Sequence, residues 1–293
     1  MDLQRRGSLY AAFFTAMACD CEILIDCDDP QQARALGEAS EQECRRIERK
    51  FSRYRDDNVV HAINRSSGQP LCVDDETADL LDFADHCWRI SDGLFDITSG
   101  ILRRIWRFDG CSPPPSRQDS DALLPLIGWQ HVDWTRPQLR LPPGMEIDFG
   151  GIGKEYAVDR VLGLLTRQAE GVPLLVNFGG DLACNRPQRD GRRWTVGIGH
   201  PDASDQAVES WRLSQGALAT SGDAHRHILY QGIRYGHVLN PKTGWPTPGA
   251  PRSVTVAAPR CLDAGILSTL ALLQGAEAES FLQVQQVPYR ILA

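Results

Sequence analysis

The chain has 293 residues, of which 42% are hydrophobic, so it can bury a large core within one large domain or two small ones. It carries 31 basic and 38 acidic residues, and its formal net charge is −7. This balance argues against a nucleic-acid or anionic-membrane partner, since both require a positive surface. No apolar run approaches the roughly 18 residues that a membrane-spanning helix needs.

The N-terminal stretch MDLQRRGSLYAAFFTAMAC has the arginine pair, apolar run and cysteine of a lipoprotein signal. Its apolar run is only about ten residues long, at the low end for such a segment, and Ala16-Met17-Ala18 is a poor approach to a processed cysteine. The chain has nine cysteines and no Cys-x-x-Cys pair, which favours free thiols in a reducing compartment. Cys19 and Cys21 leave a metal site open, although buried thiols are the simpler interpretation.

One strand and two helices are predicted in the first third of the chain. The strand-like segment CEILIDC, at 21–27, precedes a long amphipathic helix over 30–51, where apolar residues recur at helical spacing. A second helix has Asp74 or Asp75 as its N-cap and is closed by Gly93.

The middle of the chain contains a polar break, CSPPPSRQDSD, at 111–121, which predicts a surface loop inside one domain. After residue 128, short strands dominate, with helices at 154–168 and from about 263 to 284. The predicted strands are GWQHVDW, QLRL, MEIDF, PLLVNFGG, WTVGIGH, GALATSG, RHILY and SVTVAAP. Hairpin-like strands and separated helices indicate an α+β fold with mixed or antiparallel sheets and flanking helices.

Two glycine pairs stand at the ends of apolar segments. In DFGGIGKEYAVDR, Asp148 precedes Gly150-Gly151, and Lys154 lies in the first turn of the predicted helix. Such a pair lets the backbone approach a ligand and directs N–H groups at an anion, but a plain strand-to-helix turn is the alternative. It matches neither the dinucleotide-binding nor the Walker fingerprint. The second pair, in VNFGGDLAC, predicts a hairpin turn before Asp181.

Histidines provide two further candidates. His237, in GHVLNPKTGWPTPG, precedes an Asn-Pro turn and is well placed for acid–base chemistry, because its ordinary pKa lies near neutrality. A histidine held by turn carbonyls is the alternative. His225 and His227 would point to one face of a strand as a possible metal pair, without a third ligand nearby.

Taken together and in order, these segments resemble the ApbE-type FAD:protein FMN transferases. The resemblance implies a single two-lobed α+β domain over residues 1–293. It also implies that the enzyme cleaves FAD, joins FMN through its phosphate to a threonine hydroxyl of an acceptor flavoprotein, and releases AMP with the help of Mg²⁺. The matching segments are FFTAMAC, FSRYRDDNVVHAIN, GLFDITSGILRRIW, DFGGIGKEYAVDR, LLVNFGGDLA, ALATSGD, GHVLNPKTGWP, SVTVAAP and DAGILSTLALLQG.

The resemblance also implies roles for individual residues. His237 corresponds to the base that accepts the threonine proton, and Gly151, Ser268 and Thr269 correspond to the metal site. The positions that correspond to FAD contacts are Met17, Tyr54, Leu94, Phe95, Asp96, Asp148, Lys154 and Leu239. Because Met17 falls inside a block of the mature domain, we expect a cytoplasmic protein without a signal peptide.

The chain departs from the family pattern at the C-terminal metal block. The family has an aspartate four residues before the threonine, whereas this chain has Gly265. Losing a carboxylate should weaken the binding of a hard cation, and Asp263 or Glu155 is a possible substitute. Ala18-Cys19 also stands where the family has Gly-Thr. The alternatives are a family member that binds flavin with weak or lost transfer, and a metal-dependent hydrolase that uses the histidine pair.

Overall fold

The computed structural model describes residues 1–224 and 226–293, and all of their side chains except those of residues 203–206. Within these residues the α-helices are α1 (Pro30–Phe51), α2 (Val59–Asn64), α3 (Asp75–Ile90), α4 (Arg117–Leu123), α5 (Gly153–Gln168), α6 (Cys261–Leu273) and α7 (Ala278–Gln285). Short 3-10 helices cover Ile97–Arg104, Leu124–Leu126, Trp129–His131, Phe149–Gly151 and Gly275–Glu277. The strands are β1 (Asp2–Arg6), β2 (Leu9–Ala16), β3 (Cys19–Ile25), β4 (Leu71–Cys72), β5 (Asp133–Thr135), β6 (Gln138–Arg140), β7 (Leu174–Phe178), β8 (Asp181–Cys184), β9 (Trp194–His200), β10 (Ala203–Leu213), β11 (Gly216–Gly222), β12 (His227–Tyr230), β13 (Ile233–Gly236), β14 (Leu239–Asn240), β15 (Trp245–Pro246), β16 (Ser253–Ala258) and β17 (Tyr289–Leu292).

The main sheet has eight antiparallel strands in the order β1-β2-β3-β7-β8-β11-β16-β17. Helix α1 packs against β2, α5 against β7 and β8, and α6 against β11 and β16. Because side chains alternate between the two faces of a strand, Val176 and Phe178 enter the core beneath these helices, whereas Leu175 belongs to a second cluster with Trp194. The sheet therefore has one face covered by helices and one covered by the β9–β10 hairpin.

A smaller apolar cluster forms around Trp106. It includes Ile101 and Ile228, and Leu239 and Trp245 from the β14–β15 hairpin pack against it. Separate apolar clusters and antiparallel ladders agree with the predicted two-lobed α+β fold. Among the described residues, the parallel contact is an isolated bridge between Gly110 and Ile228.

The two long helices predicted in the first third are confirmed. Helix α1 covers the predicted residues 30–51, and its buried side chains recur along one face. Asp74 is the N-cap of α3, where its Oδ1 accepts a hydrogen bond of 2.8 Å from the Thr77 N–H, and the left-handed Gly93 follows the end of the helix.

The strand predicted in MEIDF is wrong. Instead of pairing with a neighbouring strand, Ile147 pairs with the side chain of Asn64. The Asn64 Oδ1 accepts from the Ile147 N–H at 2.7 Å, and the Asn64 amide donates to the Ile147 carbonyl at 3.0 Å. The strand predicted in GWQHVDW is only partly right, because the Trp129 N–H donates to Asp96 at 2.8 Å and a 3-10 turn precedes β5. In both cases a side chain replaces the strand ladder.

The N-terminal apolar run is strand β2. It pairs with β1 and β3, and Ala11 and Ala12 on it are completely buried. Met17 and Ala18 form the two-residue turn between β2 and β3, with φ values of 53° and 57°. Both are left-handed conformations, which a type I′ hairpin turn requires and which side chains other than glycine disfavour.

The polar loop predicted at 111–121 is shorter than expected. Ser116 and Asp119 form a capping box, in which the Asp119 N–H donates to the Ser116 hydroxyl at 3.1 Å, and α4 begins at Arg117. No helix among the described residues has both the length and the apolar character required to cross a membrane.

Candidate active site

The first glycine pair lies in a short 3-10 turn between Asp148 and α5. The Asp148 Oδ1 accepts from the Gly150 N–H at 2.8 Å and caps this turn. The Asp148 Oδ2 lies 3.4 Å from Nη1 of both Arg53 and Arg103. Helix α5 has no side-chain N-cap, so the N–H groups of its first turn face the same region. Two arginines and a helix N-terminus therefore lie around the carboxylate of Asp148, which offsets part of their positive charge.

The second glycine pair is the predicted hairpin turn between β7 and β8. Gly179 and Gly180 have φ values of 61° and 98°, and Phe178 pairs with Asp181 across the turn. Asp181 is buried and forms an ion pair with Lys154. Burial is the largest effect on Lys154 and opposes its charged form, but the charges of Asp181 and Glu155 and the hydrogen bond to Asp181 together raise the lysine pKa above its usual range. The two glycine motifs therefore meet through this ion pair.

Met17 lies beside the start of α5. A Cβ built on Gly153 would lie 3.8 Å from the Met17 Cε. The hairpin turn that presents Met17 is held by the Met17 N–H, which donates to the Glu48 carboxylate at 2.7 Å. The structure thus places the flexible thioether of Met17, an expected FAD contact, near the start of α5.

One aromatic ring borders the same turn, and a second is linked to it through Arg53. Tyr54 is 79% exposed, and the Arg53 guanidinium lies 5.0 Å from its ring centroid. The Phe95 ring is buried and lies 3.2 Å from the position that a Cβ on Gly151 would take. Tyr54 therefore offers a free ring face, whereas Phe95 forms a wall behind the glycine turn.

Asp96 and Leu94 are less accessible than the sequence suggested. The Asp96 Oδ1 accepts from the Thr98 N–H at 2.8 Å and the Thr98 hydroxyl at 2.6 Å, and its Oδ2 accepts from Trp129. Burial raises the Asp96 pKa, and these hydrogen bonds oppose that shift. Leu94 packs against the main core. Both residues thus support the segment that carries Phe95.

His237 lies between β13 and β14. Its Nδ1 lies 3.2 Å from the Arg226 carbonyl oxygen, and the Phe108 ring lies 6.3 Å from its ring. Burial lowers the pKa of His237 to about 4, with further contributions from the positive charges of Arg226, Arg103 and Lys154. Burial and nearby positive charge therefore both favour the neutral form of His237.

The His227 side chain is in contact with two nearby residues of the chain. Its Nδ1 lies 3.0 Å from both the Asp223 carbonyl oxygen and the Arg234 Nη2. His225 lies outside the described residues, so the predicted pair cannot be described. Among the described residues, no group of three or more His, Cys, Asp and Glu side chains could hold a metal ion.

The predicted metal positions on α6 form a hydroxyl cluster. The Ser221 hydroxyl lies 2.8 Å from the Ser268 hydroxyl and 2.9 Å from the Thr269 hydroxyl. Ser268 also donates to the Gly265 carbonyl at 3.0 Å. Gly265, Ser268 and Thr269 thus lie on successive turns of one helix face, beside strand β11.

The two proposed replacements for the missing aspartate differ in position. Asp263 forms hydrogen bonds of 2.6 and 2.9 Å with Arg260 in the first turn of α6. Glu155 reaches Gly265 from α5, because a Cβ on Gly265 would lie 2.9 Å from the Glu155 Oε1. Burial and the charge of Asp181 raise the Glu155 pKa. Glu155, and not Asp263, therefore occupies the space beside Gly265.

Sequence reasoning missed the arginines of the site. Arg53, Arg103 and Arg226 come from three distant segments, and nothing in their spacing shows that they meet. Arg53 adjoins Tyr54, and Arg103 lies in the segment GLFDITSGILRRIW. Their position inside segments that match the family is the one feature of the sequence that could have indicated a role for them in the site.

The family model of the ApbE family matches residues 17–291. The FAD:protein FMN transferase of Klebsiella pneumoniae (strain 342) is 34% identical over 230 residues, covering 76% of this chain and 70% of the relative. The FAD:protein FMN transferase of Vibrio cholerae serotype O1 is 28% identical over 246 residues, covering 81% and 73%.

Solved structures show the same fold. The crystal structure of the ApbE protein of Thermotoga maritima aligns with a TM-score of 0.89 at 29% identity, covering 97% of this chain and 94% of that chain. The flavinyl transferase ApbE of Pseudomonas stutzeri aligns with a TM-score of 0.84 at 26% identity, covering 99% and 92%. Fold and relatives define an enzyme of the transferase class, and the chain belongs to the ApbE family.

Proposed function

We propose that the protein is an FAD:protein FMN transferase. It would cleave the FAD diphosphate, attach FMN by its phosphate to a threonine hydroxyl of an acceptor flavoprotein, and release AMP. The observation that carries this proposal is that Arg53 and Arg103 both contact Asp148, the residue that caps the first glycine turn. Lys154 lies in the first turn of the helix that follows. A cluster of cations around a glycine turn suits an anionic diphosphate substrate. The names of the curated relatives support the same activity.

The geometry supports a placement of FAD along the first glycine turn. The diphosphate would lie against the Gly150 and Gly151 backbone, near Lys154 and Arg103, where a Cβ would narrow the space. Tyr54 would stack on the isoalloxazine ring, and Met17 would contact it from the β2–β3 turn.

The remaining residues would act around this ligand. Asp148 would orient Arg53 and Arg103 toward it. Phe95 would line the turn, with Leu94 and Asp96 holding the Phe95 segment, and Leu239 would hold the His237 loop through the Trp106 cluster.

The residues near α6 fit a divalent cation. Within the part of the chain that the structure describes, Glu155 has a buried carboxylate oxygen without a hydrogen-bond partner, and Gly265 leaves the space that this carboxylate occupies. The hydroxyls of Ser268 and Thr269 and the carbonyl of Gly151 are the hard oxygen donors that Mg²⁺ prefers. Mg²⁺ bound there would neutralise charge on the diphosphate oxygens.

His237 has the tautomer that a general base requires. A carbonyl oxygen can only accept, so the contact with Arg226 places the hydrogen on Nδ1 and leaves the lone pair on Nε2. The lowered pKa keeps this imidazole neutral at pH 7. Nε2 would take the proton of the threonine hydroxyl as its oxygen bonds to the FMN phosphorus, and the phosphoanhydride bond would break with its electrons on AMP.

A family member that binds flavin with weak or lost transfer is the second candidate. The observation that favours it is Gly265, which removes a carboxylate from the α6 face. It predicts a stoichiometric FAD complex that forms neither AMP nor covalently flavinylated acceptor.

The test uses purified protein with FAD, MgCl₂ and an acceptor flavoprotein that the Vibrio cholerae relative modifies. We expect AMP release, and acceptor fluorescence that survives denaturation. His237→Ala should lower the rate by about 10² to 10⁴-fold without changing FAD affinity strongly. The Vibrio relative serves as the positive control. If FAD binds and neither product forms at any Mg²⁺ concentration, the transferase proposal fails and the flavin-binding alternative stands.

We also propose a cytoplasmic location. The nine cysteines all carry free thiols, which are typical of a reducing compartment. Fractionation of producing cells should recover the protein in the cytoplasmic fraction, and recovery of a processed form outside the cytoplasm would contradict this location.

A further inference from the structure

Glu155 and Gly265 fit each other across the contact between α5 and α6. A Cβ built on Gly265 would lie 2.6 Å from the Glu155 Cγ and 3.0 Å from its Cδ. Real Cβ atoms do not approach other carbons so closely, so a side chain at position 265 and the present Glu155 conformation exclude one another. The absence of a side chain on α6 is what admits the carboxylate from α5.

Glu155 lacks the partners that neighbouring carboxylates have. Asp181 has Lys154 and the Thr220 N–H, and Asp263 has Arg260. The Glu155 Oε2 is inaccessible to solvent and has no hydrogen-bond partner among the described residues. An unpaired buried carboxylate oxygen is costly, so its retention points to a positively charged partner that binds there.

Oxygen donors surround the place where that partner would bind. Thr269 lies four residues after Gly265 and Ser268 three residues after it, so their hydroxyls follow on the same face of α6. The Ser221 hydroxyl lies within 2.9 Å of both. A carboxylate with several neutral oxygens is a donor set for Mg²⁺ or Ca²⁺, and not for a soft transition metal.

We propose that Glu155 supplies, from α5, the carboxylate ligand of a divalent-cation site whose opposite wall is α6 at Gly265, Ser268 and Thr269. The exchange of a carboxylate on α6 for one on α5 keeps the charge of the site and changes the helix that provides it. The role of this cation at the FAD diphosphate rests on the proposed function, but the cation site itself does not.

Titration calorimetry of Mg²⁺ into the full-length, FAD-free protein tests the site without reference to activity. Glu155→Gln keeps the size of the side chain and removes its charge. We expect this variant to weaken Mg²⁺ binding by at least about 10-fold. Asp263→Asn is the matched control, because it removes the other acidic candidate near the start of α6, and it should leave Mg²⁺ affinity unchanged.

A second pair of variants tests the exchange itself. Gly265→Asp alone should weaken Mg²⁺ binding, because its Cβ displaces the Glu155 side chain. Combining it with Glu155→Ala empties that space, and the double variant should recover most of the wild-type affinity. Thermal unfolding with and without Mg²⁺ gives a parallel readout, in which the Mg²⁺-dependent rise in Tm should be lost in Glu155→Gln and return in the double variant.

The outcomes separate this inference from the proposed function. If Glu155→Gln binds Mg²⁺ as tightly as wild type, or wild type binds none, the inference is overturned whether or not FMN is transferred. If Mg²⁺ binding depends on Glu155 while FAD and acceptor yield no product, the cation site stands and the transferase proposal fails.

Discussion

The two glycine pairs look alike in sequence, yet each keeps glycine for a different physical reason. Gly179 and Gly180 have left-handed φ values of 61° and 98°, so the β7–β8 hairpin turn requires them. Gly150 and Gly151 do not have positive φ values. At these two positions a Cβ would instead lie 3.1 Å from the Asp148 Oδ1 and 3.2 Å from the Phe95 ring. Gly179 and Gly180 are therefore required by their backbone conformation, whereas Gly150 and Gly151 are required because a side chain there would fill the space next to the turn.

The two pairs are joined by one ion pair. Lys154 follows the first pair and Asp181 follows the second, and their charged groups are in contact. Because Asp181 is buried and Lys154 is only partly so, the hairpin holds the lysine beside the first glycine turn. The hairpin turn at Gly179-Gly180 therefore positions a charged side chain beside the turn at Gly150-Gly151.

Lys154→Met breaks the link between the two regions. It removes a cation near the diphosphate and leaves Asp181 buried without its partner. We expect the transfer rate to fall by about 10² to 10³-fold and the free energy of unfolding to fall by about 2 to 3 kcal/mol. Transfer assays and urea unfolding measure these effects.

The double variant Lys154→Met with Asp181→Asn is the control for the stability effect. It removes the unpaired charge, so stability should return while the transfer rate stays low. Recovery of the rate together with the stability would show that Lys154 is only structural.

Alanine substitutions in the two glycine pairs should distinguish a glycine required by its backbone conformation from a glycine required by the space beside it. Gly179→Ala places a Cβ at φ 61° and 2.9 Å from the Cys19 Cβ, and should cost about 2 kcal/mol of unfolding free energy. Gly150→Ala should cost less than about 0.5 kcal/mol but weaken FAD binding. Equal stability losses for the two variants would contradict the distinction.

The pH dependence of the transfer reaction should report the lowered pKa of His237. His237 has a pKa lowered to about 4 from its ordinary 6.5, so in the free enzyme it stays neutral above about pH 4 and loses its proton-accepting form below that. We expect kcat/KM to remain flat from about pH 7.5 to about pH 5 and to fall about 10-fold per unit below the pKa.

Circular dichroism at each pH confirms that the protein remains folded during this measurement. The acidic limb of kcat should lie at higher pH than that of kcat/KM, because bound diphosphate offsets the nearby positive charges. An acidic limb of kcat/KM near pH 6.5 would mean that neither burial nor the nearby cations lower the pKa of His237 in the active enzyme.

The smallest effect concerns the other two-residue hairpin turn, between β2 and β3. Ala18 has a φ of 57° there, where glycine would carry no steric penalty. Ala18→Gly should therefore raise the free energy of unfolding by about 0.5 to 1 kcal/mol without changing the transfer rate. Urea unfolding measures the change, and a destabilised variant would show that the Ala18 side chain makes a contact that matters more than its backbone strain.

Local patterns predicted the long helices and the hairpins well. Helix α1 has a regular apolar face and Asp29 as its cap, and Asp74 caps α3 in the same way. Both signals are local, so neighbouring residues suffice to read them. The strand predicted at MEIDF failed because Asn64, far away in the chain, satisfies the Ile147 backbone. Periodicity carries no information about such a partner.

The site was predictable only as a set of matching positions. His237 and Lys154 were named from motifs. Arg103 and Arg226, whose charges contribute to the lowered pKa of His237, come from other segments. The contact between Glu155 and Gly265 likewise joins two helices that are about a hundred residues apart, so sequence left Asp263 and Glu155 as equal candidates. The distances between α5 and α6 show that Glu155 is the residue beside Gly265, which the spacing along the chain could not show.

The most direct test of the transferase proposal is the intact mass of the acceptor flavoprotein after incubation with the protein, FAD and Mg²⁺. We expect its mass to increase by one FMN less one water, with one AMP released for each acceptor modified, and we expect no increase when the acceptor threonine is replaced by valine. An unchanged acceptor mass while the Vibrio cholerae relative modifies the same sample would contradict the proposal.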